Sequence, residues 1–261
     1  MAQKTLYLGM VLFLLACSQS DTRKDKAADS IPSQSTGMAD FKTLDTVLPF
    51  SGLWVNEEYI KKLKKTQSPR ESQDIGEGCI TIPERTLQEV SMVYGFHEGG
   101  EGWVIVKKGI TYEIYDKDLK ARVRSIEILS PDKIKIGDRY FSKLQHPDHK
   151  RGDLNILEEL LFSGNYQQPD GKVAAFKLDG SVSGLDSFNY YNPMIDYSGE
   201  GLNMDQIELG AAKENLHPYG FRFNADSLII YQLNCVEYDS AAKQCGVVGI
   251  GDPIYKLLRK H

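Results

Sequence analysis

Phe50-Ser51-Gly52-Leu53-Trp54 returns 112 residues later as Phe162-Ser163-Gly164-Asn165-Tyr166. Each stretch sets an aromatic residue two places after a glycine, a pattern that fits a strand opening where the backbone needs freedom and a large side chain needs burial. The preceding residues correspond as well, with Leu44 and Leu48 before the first copy and Ile156 and Leu160 before the second. At the far end, Ile136-Gly137-Asp138 is echoed by Ile250-Gly251-Asp252 at an offset of 114, while Asp132-Lys133-Ile134 matches Asp226-Ser227-Leu228 at 94. The expected organisation is two tandem antiparallel β-barrel modules, 41–147 and 148–261, joined near His146 to Asp153. One larger β-barrel with a chance recurrence is the alternative.

The segments between the repeats read as strands. Ile110 to Ile114 and Lys133 to Ile136 alternate apolar and polar residues. Val173 to Leu178 meets Ser181 to Gly184 through Asp179-Gly180, a pair suited to a type I′ hairpin turn. Tyr219, Phe221 and Phe223 line one face, Leu228 to Tyr231 reads as a buried strand, and Ile254 to Leu258 as the last one. Short strands at this spacing indicate a sandwich or barrel. Two short helices are expected. One runs from Asn56 to Lys65, with a capping residue and acids first, lysines last, and Ser68-Pro69 as its stop. The other runs from an Asp153 cap to Leu161.

At Gly52-Leu53-Trp54 the chain resembles the lipocalin-like, or calycin-like, proteins. That resemblance implies that Gly52 and Trp54, and Gly164 and Tyr166, close the two barrel floors, with a basic residue of the last strand on each ring. Arg139 or Lys143 is implied for Trp54, and Lys256 or Arg259 for Tyr166. The second module, with Tyr166 in the place of a tryptophan and Lys172 to Leu185 behind it, is similar to small lipocalin-like domains of bacterial lipoproteins.

The N-terminus reads as an address. Lys4 precedes an apolar or small run from Leu6 to Ala16, too short to span a bilayer and suited to a signal-peptide core. Leu14-Leu15-Ala16-Cys17 resembles the lipobox of bacterial lipoproteins. The resemblance implies that 1–16 is a signal peptide and that Cys17 carries the lipid, including a palmitate-type acyl chain. Two or three acyl chains anchor a protein stably. Ser18, rather than an aspartate, implies the outer membrane of a Gram-negative bacterium. Residues 17–40 then form a polar tether with no apolar period, expected to be disordered.

The 261 residues carry 31 Lys+Arg against 36 Asp+Glu, a net charge of −5 with no basic cluster, so nucleic acid is not an expected partner. No P-loop, nucleophile elbow or dinucleotide fingerprint is present, and no cofactor or metal is implied. Four polar groupings stand out: His97-Glu98-Gly99-Gly100-Glu101, His146 with His149, Arg151-Gly152-Asp153, and Asp196 with Glu200 and Asp205. Each reads more simply as a solvated turn, a loop or a helix cap than as a site. Of the four cysteines, Cys235 and Cys245 bracket a polar loop between two strands and are expected to form a disulfide in an oxidising compartment. Cys79 is expected to be a buried residue of a strand.

Three functions compete. The first is a lipid-anchored module that binds a small apolar molecule, lipid or glycan fragment inside or at the rim of a barrel. The second is a structural or protein-interaction lipoprotein of the envelope with no enclosed ligand. The third is an envelope hydrolase using the His97, Glu98 and Glu101 cluster, although no residue pattern singles out an enzyme. The oligomeric state is not encoded in any of these patterns.

Overall fold

The computed structural model describes residues 45–261 except 95, 97, 100–101, 146–154, 198–202 and 242. The lipobox, Cys17 and the tether therefore lie outside the described residues, as does the expected join between the modules. Phe41–His261 forms one compact unit.

Two separate antiparallel rings of eight strands make up the molecule. The first ring runs β1 (Gly52–Asn56), β2 (Glu77–Ile82), β3 (Glu89–Tyr94), β5 (Trp103–Lys108), β6 (Thr111–Asp116), β7 (Arg122–Ser130), β8 (Lys133–Ile136) and β9 (Arg139–Lys143). β9 returns to β1, and the two-residue β4 (Glu98–Gly99) sits on β3. The second is a closed barrel of β10 (Gly164–Gln167), β11 (Val173–Phe176), β12 (Ser181–Leu185), β13 (Phe188–Pro193), β14 (Gln206–Ala212), β15 (Asn215–Asn224), β16 (Ser227–Asp239) and β17 (Gln244–Lys260). Every strand pairs with its neighbour in sequence, so each ring is an up-and-down meander, which leaves no open edge within the barrel itself. No strand pairs across the two rings among the described residues, so the single larger barrel is set aside.

Alternation decides which side chains face inward. In β8, Ile134 and Ile136 are fully buried beside Lys133 and Lys135. The first ring is filled by Trp54, Ile80, Met92, Trp103, Ile105, Tyr112, Ile114 and Phe141 among others. The second is filled around Phe162, Tyr166, Phe176, Tyr191, Phe221 and Ile230. β1 is buried along its whole length because Leu53 and Val55, facing outward, join the second apolar cluster together with Tyr59 and Leu63. That outward cluster makes the modules share one core.

Helix α1 (Glu57–Thr66) follows the predicted pattern, capped by Asn56, whose side chain accepts from the Glu58 amide. Ser68 does more than stop it: the residue caps a second, one-turn helix, α2 (Pro69–Ser72). The later helix, α3 (Asn155–Leu157), continues into a π-helical turn over Glu158–Phe162, and its expected cap at Asp153 lies outside the described residues. Two turn readings are corrected. Ile110 is 94% exposed in the β5–β6 turn rather than the first inward residue of β6. Between β11 and β12 only Gly180 is left-handed, at φ 75°, and its amide donates to the Lys177 carbonyl. A type I′ turn needs positive φ at both central residues, so this is a three-residue loop with one left-handed glycine.

Strand register explains the changing offsets of the repeat. Trp54 and Tyr166 are equivalent at 112, but their partners Ile80 and Ala174 are 94 apart. The difference is the 18 residues that α1 and α2 add to the first module. The offset is 94 again at β8 and β16, where Ile136 pairs with Arg139 and Ile230 with Tyr255. Arg139 to Tyr255 is 116, so the second module adds 22 residues to its last hairpin. The Ile250-Gly251-Asp252 echo is therefore a coincidence of sequence: Ile136 corresponds to Ile230. Each module thus carries an insertion that ring closure does not need, α1–α2 in the first and the β16–β17 extension in the second.

Candidate functional site: a cleft at the rim of the first barrel

The repeated pentapeptides form matching locks. The Trp54 indole N–H donates to the Phe50 carbonyl at 2.9 Å, and the Tyr166 hydroxyl donates to the Phe162 carbonyl at 2.8 Å. Lys143 lies opposite Trp54 on β9 with its ammonium 5.6 Å from the ring centre, and Arg259 lies opposite Tyr166 on β17 at 5.0 Å. Of the implied partners, then, Lys143 and Arg259 take these places; Arg139 and Lys256 do not. The Arg259 guanidinium also donates to the Tyr166 hydroxyl and to the Leu161 and Ser163 carbonyls. Burial pushes the Tyr166 hydroxyl up to about 12, against the opposing pull of Arg259. Gly52 and Gly164 sit at φ 128° and 139°, where a side chain is strained, and a Cβ on Gly52 would lie 2.9 Å from Lys143 Cε. These residues tie the opening strand of each ring to its last strand.

A cleft lies elsewhere, between the first module's inserted helix and the β8–β9 turn. It measures about 470 Å³ and is lined by Asn56, Glu57, Glu58, Ile60, Lys61 and Lys64 on one wall and Asp138, Arg139 and Tyr140 on the other. Its walls are held rigid by internal pairs. Buried Asn56 donates from its amide to the Glu77 carbonyl at 2.8 Å. Glu77, itself buried, pairs with Arg124 and, at 3.1 Å, with Arg139, which also donates to the Ile75 carbonyl at 2.7 Å. Glu57 meets Lys133 at 2.8 Å and accepts from Ser142 at 2.9 Å. Burial raises the Glu57 carboxyl, but these two hydrogen bonds outweigh it and hold the group below its ordinary value. Lys133 and Lys135 lie 5.1 and 5.6 Å from the Tyr140 ring centre, and Tyr140 remains 43% exposed.

Most of the cleft surface is apolar, supplied by Ile60, Tyr140 and the lysine stems. Its volume falls in the range of small-molecule sites. With Glu57 and Arg139 engaged internally, four lining charges remain: Glu58, Lys61, Lys64 and Asp138. All four are exposed, and none forms an ion pair among the described residues.

Sequence reading did not find this cleft. The α1 lysines read as partners of the helix dipole and Asp138 as part of the Ile136-Gly137-Asp138 echo, and roughly seventy residues separate the two walls. The polar groupings that it did single out fall otherwise. His97 and Glu101 lie outside the described residues, and Glu98 opens the short β4. His146, His149, Arg151, Gly152, Asp153 and Glu200 also lie outside. Asp205 is mostly buried and accepts from the Arg70 amide at 2.9 Å, tying the loop before β14 to α2. Burial raises its carboxyl, while hydrogen bonds from Ser68 and Arg70 oppose the shift. Cys235 and Cys245 form the disulfide, with Cα atoms 5.6 Å apart. They lie inside β16 and β17, not at the ends of a loop, because the hairpin continues past them to Asp239 and Gln244. Cys79 is buried in β2 opposite Val55. Comparison with protein-family models, with curated proteins and with solved structures finds no match to this chain.

Proposed function

We propose that this protein is a lipid-anchored, extracytoplasmic binding protein of lipocalin-like modules that holds a small amphiphile, lipid or glycan fragment at the rim of its first barrel. In this reading Cys17 carries the acyl anchor, and the outer membrane of a Gram-negative bacterium is its site. The supporting observation is the cleft: ligand-sized, largely apolar, edged by charges that form no ion pair among the described residues, and built from an insertion that ring closure does not require. Both barrel interiors are packed with aromatic and branched side chains, so the ligand is assigned to the rim rather than the interior.

Native mass spectrometry of the purified protein tests this. A co-purified small molecule is expected in the parent chain and is lost in Ile60→Asp or Tyr140→Ala. An adduct retained in both variants would sink the rim assignment. A second reading, an envelope protein that contacts another protein, rests on the 22-residue extension of the β16–β17 hairpin. There Val236 and Tyr238 are 64% and 65% exposed. It predicts that Val236→Asp with Tyr238→Asp abolishes a cross-linked species seen with the parent chain in its native envelope, while Ile60→Asp leaves that species intact.

A further inference from the structure

The two walls of the rim cleft differ in how their charges are used. Glu57 is paired with Lys133, and Arg139 shares the Glu77 carboxylate with Arg124, so both are held by partners within the barrel and shape the cleft. Lys61 and Lys64 are three residues apart on α1 and both line the cleft. Glu58 stands one turn before Lys61, and Asp138 sits on the opposite wall. None of the four forms an ion pair among the described residues. Two cations and two anions therefore front one largely apolar space with no net charge between them.

We infer that the cleft takes a zwitterionic amphiphile, a molecule with an anionic and a cationic group a few bonds apart on an apolar body. The inference rests on the cleft being a ligand site, as proposed above. The anionic group is met by Lys61 and Lys64, two adjacent ammonium donors. The cationic group is met by Asp138 across the cleft, with Glu58 at the helix end. The apolar body lies along Ile60 and the accessible part of Tyr140, where its burial supplies the nondirectional share of the affinity. A neutral headgroup would leave four charges to be partly desolvated without partners, which disfavours it. A purely cationic headgroup would face Lys61 and Lys64. Complementarity of both signs thus sets the choice, while the apolar walls set the affinity.

The test uses residues 41–261, the compact unit, titrated below the micelle concentration of each probe. Backbone amide shifts of Ile60, Lys64 and Tyr140 are followed. Dodecylphosphocholine is the zwitterionic probe, dodecyl maltoside the neutral one and dodecyltrimethylammonium the cationic one, all with the same chain. Dodecylphosphocholine is expected to bind best. Lys61→Glu with Lys64→Glu should weaken it by about tenfold while leaving dodecyl maltoside within about twofold. Asp138→Lys should likewise weaken the zwitterion while leaving dodecyl maltoside within about twofold. All of these side chains are exposed, so an unchanged melting temperature accompanies the expected result. Equal binding of all three probes, or equal losses for dodecylphosphocholine and dodecyl maltoside in the charge variants, overturns the zwitterion assignment and leaves the rim cleft standing. No shift at the cleft with any probe overturns both.

Discussion

Tyr166 shows how a single hydroxyl closes a barrel. It donates to Phe162, accepts from Arg259 and is buried, so its removal leaves a carbonyl and a guanidinium short of a partner. Tyr166→Phe is expected to cost about 1–3 kcal/mol in urea unfolding. Gly52→Ala should be as harmful for a different reason, because φ 128° is strained for any side chain and the new Cβ meets Lys143. Asp205 makes a pH prediction. Its carboxyl is raised in the folded state, so the folded chain holds that proton above the ordinary value of 3.8 and the unfolded chain does not. The contribution of Asp205 to stability is thus full below 3.8 and is lost as pH rises toward the raised value. Asp205→Asn keeps an oxygen for the Arg70 amide and removes this loss. The difference in unfolding free energy between the parent and Asp205→Asn should therefore shift in favour of the variant across that window, and a pH-independent difference would refute the assignment.

Among the elements, the α1–α2 pair and the β16–β17 extension are the insertions that set the offsets where each ring closes. The barrel part of the hairpin, Ser227–Ile230 against Tyr255–Leu258, repeats the register of β8 against β9. The disulfide lies beyond that part, in the added residues. In the loop-closure view a ring of this size contributes about 2–3 kcal/mol, but the contribution is local. Cys235→Ser with Cys245→Ser is expected to raise amide exchange over residues 232–250 and leave the protection of Leu228 and Ile230 unchanged. Replacing residues 231–254 with Gly-Asp, the turn found between Ile136 and Arg139, should give a chain that still folds. Loss of cooperative unfolding would contradict the view that the extension is an addition to a complete barrel. On α1, Asn56 both caps the helix and donates to the Glu77 carbonyl, so Asn56→Ala should lower stability by about 1–2 kcal/mol and loosen the cleft wall.

For the molecule as a whole, the proposed anchor and the cleft make separate predictions. Metabolic labelling with palmitate should mark the parent chain and not Cys17→Ser, and the variant should leave the membrane fraction. The strands and their inward alternation were legible because they are local: Ile134 and Ile136 in β8, or Tyr219, Phe221 and Phe223 in β15, show their period directly. The disulfide was legible because its cysteines flank one hairpin. The cleft was not, since its walls come from a helix at residues 57–66 and a turn at residues 137–138, and no short-range pattern records that they meet. Amino-acid order alone determined the strand period, the capped helix, the paired glycine–aromatic locks and the expected lipid address, all properties of neighbouring residues. Only the tertiary structure decided that Lys143 and Arg259 are the lock partners, that the offsets of 112, 94 and 116 mark two insertions, and that one insertion builds a cleft. The physical reason is that strand register and cavity shape depend on which distant residues pack together, and packing is settled by the whole core at once.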